Sequence, residues 1–225
     1  MAIRRRRERL NRMRDMASVE VSRAYDQVMS PVERSYDLIA RKIVRYAPTA
    51  QAVLDVGTGP GFLPPRLARA YPTATITGLD TGPEMLVLAR ERARSSGVED
   101  RVRFVQGSAY ELPFADSSLD LVVATSAIHM LDDLGRFVAE ARRVLKRGGS
   151  LVVIDQRRDV ALPVYAVAWG STFALRVLGK AIDGMGPVID GCYTGSEVDA
   201  ALIGAGFARH EVSTGVLTLE AWAQA

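Results

Sequence analysis

Short apolar runs alternate along this chain with longer segments in which apolar residues recur at helical spacing. Five of the apolar runs are predicted to be strands: 52–56, 74–79, 102–106, 119–124 and 150–155. Strands that alternate with helices form parallel sheets with right-handed crossovers. The pattern therefore predicts an α/β fold with a doubly wound sheet. Two further strands, 208–213 and 216–221, follow a predicted helix at 196–204.

The stretch AVLDVGTGPGFLPPRLA at 52–68 predicts a buried strand, a glycine-rich turn and the start of a helix. Glycine allows positive φ and close approach of a ligand, and a helix N-terminus offers unpaired N–H groups. A dinucleotide fingerprint would need glycine at position 62, which is Phe62. The carboxylate of Asp55 suits a ligand with a positive amino group, which favours a zwitterionic nucleoside such as S-adenosylmethionine. The three glycines stand at alternate positions: Gly57, Gly59 and Gly61.

A second acidic residue, Asp80, ends the next predicted strand. A carboxylate there can accept both hydroxyl hydrogens of a ribose, as in nucleotide-binding folds. The third predicted strand leads into a loop of small and polar residues at 107–114, which would flank an adenine, and Met85 could lie against the adenine or ribose. In parallel sheets, ligands bind at the carboxyl edge of the strands. The candidate residues at that edge are Asp55, Gly57, Asp80, Ser108 and Thr125.

Five motifs occur in a fixed order: VLDVGTGPG at 53–61, GLD at 78–80, GSAYELPF at 107–114, LDLVVATSAIHML at 119–131 and RRVLKRGGSLVVID at 142–155. With these motifs the chain resembles the class I S-adenosylmethionine-dependent methyltransferases, particularly the type 11-like group that acts on small molecules. The resemblance implies a Rossmann-like sheet of seven mostly parallel strands with an antiparallel edge strand. It also implies that the last two strands pair in antiparallel fashion.

Carried over by position, the resemblance implies that Asp55 and the backbone of 57–61 hold the methionine moiety and that Asp80 holds the ribose hydroxyls. Ser108, where many relatives have Asp, and Ala109 would lie at the adenine. Thr125 would lie near the methionine amino group. No metal is expected. The full set of expected cofactor-binding residues is Asp55, Gly57, Thr58, Gly59, Gly61, Asp80, Thr81, Met85, Gly107, Ser108, Ala109 and Thr125.

The chain has only two histidines. His129 follows the fourth predicted strand, close to the expected position of the transferred methyl group. It is the candidate catalytic residue, as a general base or a substrate-orienting group. The alternative is a packed histidine that holds the loop. His210 falls in a late strand and is expected to be structural.

Residues 1–47 are expected to form a basic arm with helices, and 48–225 a methyltransferase domain. The segment 156–192 would be an insertion after strand five that covers the substrate side. Apolar residues recur at helical spacing between 160 and 182, and the first charge there is Arg176. This predicts a lid over an apolar pocket. A core helix, a homodimer face and peripheral membrane contact are the alternatives, since the stretch is too short and interrupted to span a bilayer.

Charge and cysteine content add constraints on partners and compartment. The 225-residue chain carries a net +3, but seven arginines and one glutamate before residue 15 give the arm +6 and leave −3 for the remainder. The arm is interpreted as a solvated helix, with phosphate binding, membrane-surface binding and an organellar presequence as alternatives. The single cysteine, Cys192, excludes an internal disulfide. With no apolar signal segment near the N-terminus, a cytoplasmic location is expected.

The hypothesis is therefore S-adenosylmethionine-dependent methyl transfer to oxygen, nitrogen or carbon of a small, largely apolar metabolite. One alternative is an RNA methyltransferase that uses the arginine-rich arm, and another is a non-catalytic nucleoside-binding module. Nucleic acid is not favoured as a partner, because residues 124–127 read ATSA where base-amine methyltransferases carry an Asn/Asp-Pro-Pro-aromatic run.

Overall fold

The computed structural model describes residues 23, 26, 33–177 and 185–225 of the chain. Its centre is a single sheet of seven strands in the order β3-β2-β1-β4-β5-β7-β6. The strands β1 to β5 are mutually parallel. The sheet therefore grows outward in both directions from β1, as predicted for a doubly wound fold. The strands are β1 Ala52–Val56, β2 Thr75–Asp80, β3 Val102–Gln106, β4 Leu119–Thr125, β5 Leu145–Gln156, β6 Arg209–Thr214 and β7 Thr218–Gln224.

The last two strands do pair in antiparallel fashion, with Val212 opposite Ala221. The final strand, β7, also runs antiparallel to β5 and lies between β5 and β6. The predicted class of sheet is confirmed. Its antiparallel strand is second from the edge, while β6 forms the edge itself and runs in the same direction as the parallel strands.

Helices cover both faces of the sheet, and alternate residues of each central strand supply the two cores. Val53 and Val123 face one core, together with Ile43 and Leu67 from the helices there. The next residue of β1, Leu54, faces the other core with Phe137. The helices are α1 Ser35–Tyr46, α2 Pro64–Ala70, α3 Pro83–Ser95, α4 Leu134–Val144, α5 Leu162–Val177, α6 Met185–Gly191 and α7 Gly195–Gly204, with a 3₁₀ helix at Ile128–Met130.

The fifth strand begins earlier than the predicted 150–155. Basic residues followed by glycines at 148 and 149 are typical of a helix C-terminus, but α4 ends at Val144 and β5 begins at Leu145. Gly148 has a φ of +81°, and its N–H donates to the carbonyl of Ala225. Because these glycines pair with the end of β7, they belong to the sheet ladder and do not cap the helix.

The segment after β5 contains two helices, α5 and α6, where the lid was predicted. At the start of α5, Leu162 and Val167 are 78% and 73% exposed, whereas Ala168 is buried. The Tyr165 hydroxyl donates to a carboxylate oxygen of Asp190 at 2.9 Å, which joins the two helices. Among the described residues, every helix falls short of the length and hydropathy that crossing a bilayer requires. The arginine-rich arm at 1–18 lies outside the described residues.

Candidate active site

The glycine turn after β1 has the backbone that the sequence predicted. Its glycines have φ angles of +71°, +52° and +80°, a region that side chains with a Cβ avoid. A Cβ on Gly57 would lie 2.6 Å from the Cβ of Ala127, and one on Gly61 would lie 2.8 Å from the Cα of Ala89. A Cβ on Gly59 would meet no atom within 4 Å. Two glycines thus allow close packing of the turn, while the third faces open space.

A cleft opens over this turn at the carboxyl edge of the sheet. Five of the predicted cofactor-binding residues line it together: Asp55, Gly57, Thr58, Gly59 and Thr125. Further lining comes from residues of the turn, from helix α1 and from the end of β4: Tyr36, Pro60, Phe62, Leu63 and Ser126. The cleft therefore lies between the ends of β1 and β4, where the strand order reverses, as expected for ligand binding in open α/β sheets.

Asp55 is the most unusual group in the cleft. It is 1% exposed, and its Oδ2 accepts a 2.7 Å hydrogen bond from the Thr58 hydroxyl. Its other oxygen, Oδ1, has no partner among the described residues. Burial raises the pKa of Asp55 to about 7, the hydrogen bond from Thr58 lowers it, and the nearby charge of Asp80 raises it. A buried carboxylate oxygen without a donor is costly, so it fits a cationic or N–H ligand group.

Asp80 connects the glycine turn to the end of β2. Its Oδ2 accepts the N–H of Gly59 at 2.8 Å, and its Oδ1 accepts the N–H of Gly82 at 2.9 Å. Burial raises the pKa of Asp80, and its backbone hydrogen bonds act in the opposite direction. Each carboxylate oxygen has two lone pairs, so Asp80 retains acceptor capacity for two ligand hydroxyls.

The residues predicted at the adenine cluster at the ends of β2 and β3, beside Asp80 and outside the set that lines the cleft. The N–H of Gly107 donates to the Asp80 carbonyl at 3.0 Å. The hydroxyl of Ser108 accepts the N–H of Tyr110 at 3.1 Å, which closes a short turn. Ala109 is buried in the core. Two further predicted cofactor-binding residues follow β2: Thr81 is exposed in the loop to α3, and Met85 is partly buried in the first turn of α3, near Gly82.

His129 lies on the 3₁₀ helix, three residues beyond the cleft-lining Ser126. Its Nδ1 is 2.8 Å from Oδ1 of Asp155, a carboxylate at the end of β5 that is 1% exposed. Sequence reasoning missed Asp155 as a partner. The signal was present, because Asp155 is a third acidic residue at the carboxyl end of a predicted parallel strand. The other histidine, His210, lies on β6 and contacts the Phe207 carbonyl and Asp199.

An aromatic wall closes the cleft on the side of helix α1. The ring of Tyr36 packs against Phe62 with centroids 5.4 Å apart, and the Arg92 guanidinium lies 4.1 Å from the Phe62 centroid. Arg92 also donates to the Pro60 carbonyl in the glycine turn and to Asp26 at 2.7 Å. Neither Phe62 nor Arg92 was predicted from the sequence as a site residue, and both contribute to this wall.

Groups of three or more metal-ligating side chains are absent from the part of the chain that the structure describes. The hydrogen-bond acceptors and the open turn instead suit a nucleoside with an amino-acid tail. Asp55 offers an acceptor to an ammonium group, the open face at Gly59 gives room for a chain to pass, and Asp80 offers acceptors to a pair of hydroxyls.

Comparisons with known proteins agree with this geometry. Residues 54–153 match the family model described as "Methyltransferase domain". The chain is 33% identical over 124 residues to a demethylmenaquinone methyltransferase of Porphyromonas gingivalis, covering 55% of this chain and 50% of that protein. It is 34% identical over 140 residues to a fatty-acid O-methyltransferase of Mycolicibacterium smegmatis, and the match covers 59% of this chain and 50% of that protein. The chain thus matches about half the length of these curated relatives.

A solved structure from Methanococcus maripaludis, described as a candidate S-adenosylmethionine-dependent methyltransferase, has the same fold. It superposes with a TM-score of 0.72 at 20% identity, covering 92% of this chain and 93% of that one. The family match, the similarity to named methyltransferases and the shared fold together support placing the chain among the class I S-adenosylmethionine-dependent methyltransferases. The residues that match the family model, 54–153, include β2, β3 and β4 and the glycine turn after β1.

Proposed function

We propose that the protein transfers a methyl group from S-adenosylmethionine to a small, largely apolar acceptor. The observation that carries the proposal is the unpaired, fully buried oxygen of Asp55, which opens onto a glycine turn whose backbone leaves space for a ligand. A folded protein leaves such a carboxylate oxygen unsatisfied only at a cost, and a bound ammonium group would remove that cost.

The residues that line the cleft and those at the neighbouring ends of β2 and β3 would hold different parts of the cofactor. Asp55 and the turn at 57–61 would hold the methionine moiety, with Thr125 near its amino group. Asp80 and Thr81 would hold the ribose. Ser108 and its neighbours Met85, Gly107 and Ala109 would flank the adenine. When bound, the sulfonium supplies an electrophilic methyl group, so the protein has to supply alignment, exclusion of water and a place for a proton.

We assign to His129 the role of accepting the proton that the methyl acceptor loses. It follows the cleft-lining end of β4, and no other histidine lies near the cleft among the described residues. The ring has 10% of its side-chain surface exposed. It is therefore mostly shielded by protein and still partly accessible, as a base that receives a proton from a bound acceptor must be.

The acceptor is proposed to lie under the segment 156–192. Helix α6 of this segment packs against the 3₁₀ helix that carries His129, and the Tyr193 hydroxyl donates to the Leu131 carbonyl at 2.9 Å. The residues before Arg176 in α5 are uncharged, which suits an apolar acceptor. Two relatives are named for acceptors of this kind, a demethylated menaquinone and a fatty acid.

Isothermal titration calorimetry with S-adenosylmethionine tests the cofactor assignment. Asp80→Ala should weaken binding by about 10-fold or more, because two hydroxyl acceptors are lost at about 1 kcal/mol each. Asp199→Ala, a carboxylate on α7 away from the cleft, is the control and should bind as the wild type does. Circular dichroism should show that both variants are folded. An unchanged affinity in folded Asp80→Ala would remove the ribose assignment.

Methyl transfer itself is tested with S-[methyl-¹⁴C]adenosylmethionine and two probes, a polyprenyl 1,4-naphthoquinol and a long-chain fatty acid. The proposal predicts label in the organic extract of at least one reaction. Label that enters neither probe nor any extract of apolar metabolites, while the cofactor binds, would favour a non-catalytic nucleoside-binding module.

A further inference from the structure

The histidine beside the cleft is held by a buried carboxylate through several contacts. Oδ1 of Asp155 is 2.8 Å from Nδ1 of His129 and accepts the N–H of Gln156 at 2.7 Å. The other carboxylate oxygen of Asp155, Oδ2, accepts the backbone N–H of His129 at 3.2 Å. The Asp155 side chain is fully buried. The carboxylate therefore fixes both the backbone and the ring of His129.

These contacts select one form of the neutral imidazole. A carboxylate accepts hydrogen bonds and an unprotonated one cannot donate, so the Nδ1 that faces Asp155 carries the ring proton. The other nitrogen, Nε2, then presents a lone pair. Within the described residues, Nε2 has no hydrogen-bond partner, whereas both nitrogens of His210 have one.

The 3₁₀ helix that carries His129 lies next to two parts of the proposed active site. Ser126 lines the cofactor cleft, and the chain then turns into the 3₁₀ helix that carries His129. This helix also contacts α6 of the proposed lid. The helix that carries His129 therefore follows the cofactor cleft along the chain and touches the segment that would enclose the acceptor.

We propose that Asp155 is a positioning residue that holds His129 as the Nδ1–H tautomer, so that Nε2 removes a proton from the methyl acceptor. The proposal rests on the proposed function. As an acceptor hydroxyl or amine X–H gives its proton to Nε2, the X–CH₃ bond forms with the electron pair left on X. The S–CH₃ bond breaks and its pair stays on sulfur, which becomes a neutral thioether. The imidazolium afterwards returns its proton to water.

This arrangement also narrows the class of acceptor. A carboxylic acid has already lost its proton near neutral pH and gains little from a base, whereas a phenolic hydroxyl has an ordinary pKa near 10 and does need one. The His129–Asp155 pair therefore fits an apolar phenol or hydroquinol better than a fatty acid.

The tautomer can be measured without cofactor or acceptor. In ¹⁵N-histidine-labelled protein, long-range ¹H–¹⁵N correlation spectra distinguish the protonated from the unprotonated ring nitrogen. The chain has only two histidines, so a His210→Gln sample assigns the signals. The proposal predicts a protonated Nδ1 and an unprotonated Nε2 for His129 at pH 8, and a changed tautomer ratio in Asp155→Asn. A wild-type His129 protonated at Nε2 would overturn it.

Kinetics with the naphthoquinol probe give the second readout. Asp155→Asn should lower kcat by about 100-fold or more, the usual contribution of a general base, with the KM for the probe and the Kd for S-adenosylmethionine within about twofold of wild type. Asp199→Asn makes the same change at the other histidine–aspartate pair and should leave kcat unchanged. A kcat within twofold of wild type in folded Asp155→Asn, or an equal loss in Asp199→Asn, would overturn the proposal.

The two readouts separate this inference from the proposed function. If the wild type transfers no methyl group to either probe or to any extract of apolar metabolites, the proposed function fails, while the tautomer measurement still decides whether Asp155 orients His129. If methyl transfer is seen and Asp155→Asn behaves as the wild type does, the proposed function stands and the positioning role is rejected.

Discussion

Acidification should weaken cofactor binding, because the group proposed to bind the ammonium end of S-adenosylmethionine is a buried carboxyl with an unusual pKa. Burial raises the pKa of Asp55 to about 7 in the cofactor-free protein. Below that pH the carboxyl is mostly protonated, and a proton must leave before the ammonium group can pair with it. Well below pH 7, each further pH unit should then weaken binding by about tenfold.

The magnitude follows from the protonated fraction. At pH 7 about half of the molecules carry a proton on Asp55, and at pH 5 about 99% do, so the dissociation constant should rise by about 50-fold between these pH values, or ~2.3 kcal/mol. Binding at pH 7 should also release about half a proton per cofactor. Calorimetry measures the dissociation constant at each pH. It also measures the number of protons released, from titrations in buffers of different ionisation enthalpy.

Two variants show whether Asp55 causes this dependence. Thr58→Val removes the hydrogen bond that lowers the pKa of Asp55, so the pH midpoint for binding should move upward. Asp55→Asn should bind weakly at all pH values and lose most of the slope. A dissociation constant that stays within twofold between pH 7 and pH 5, or a full slope in Asp55→Asn, would refute the reasoning.

Three further predictions concern stability and the wall of the cleft. Asp55→Asn should stabilise the cofactor-free protein at pH 8 by at most about a few kcal/mol, which a higher thermal unfolding midpoint would show. A carboxyl whose pKa is higher in the folded than in the unfolded state makes the protein lose stability as the pH rises between the two pKa values, and the neutral amide avoids that loss. An unchanged or lower midpoint would count against it. Gly57→Ala should cost ~1–3 kcal/mol in chemical denaturation and weaken cofactor binding, since its φ is +71° and its Cβ would overlap a neighbouring alanine; Gly204→Ala, with open space around it, should do neither. Arg92→Ala should weaken cofactor binding in calorimetry by about 3- to 10-fold, because a cation–π contact and a hydrogen bond to the glycine turn are lost; an equal effect in Arg94→Ala, on the same helix, would contradict this.

The parallel core could be predicted from sequence because each local signal agreed with the global fold. The first and third strands, Ala52–Val56 and Val102–Gln106, have the predicted bounds, and each of the other parallel strands begins or ends within one residue of its own predicted bounds. Such strands are buried on both faces, so they appear as continuous apolar runs bounded by glycine or charged residues. The glycine turn was predictable for the same reason, since only glycine adopts its three positive φ angles freely.

The boundary at 145–149 could not be predicted, because it depends on a distant partner. Basic residues followed by two glycines are typical of a helix C-terminus. Here the last residues of the chain, at the end of β7, pair with Gly148 and Gly149 and extend β5 backward to Leu145. Contacts between residues about 75 positions apart leave no local signal.

The site was predicted in part. Residue types at strand ends indicated Asp55 and Asp80, since the carboxyl ends of parallel strands meet at one edge. The pairing of His129 with Asp155 was missed because it needs the loop after β4 to fold back over the end of β5, which the spacing of the residues does not reveal. The contact of Arg92 with Phe62 and Asp26 was missed for the same reason, because three separate elements meet there.

The most direct test of the central claim is a crystal structure of the protein with S-adenosylhomocysteine, the methyl-free form of the cofactor. The account predicts that its amino-acid tail lies on the glycine turn with the ammonium group hydrogen-bonded to the buried oxygen of Asp55, and that both ribose hydroxyls contact Asp80. A cleft that stays empty at saturating ligand, or that binds a nicotinamide nucleotide in preference, would contradict it.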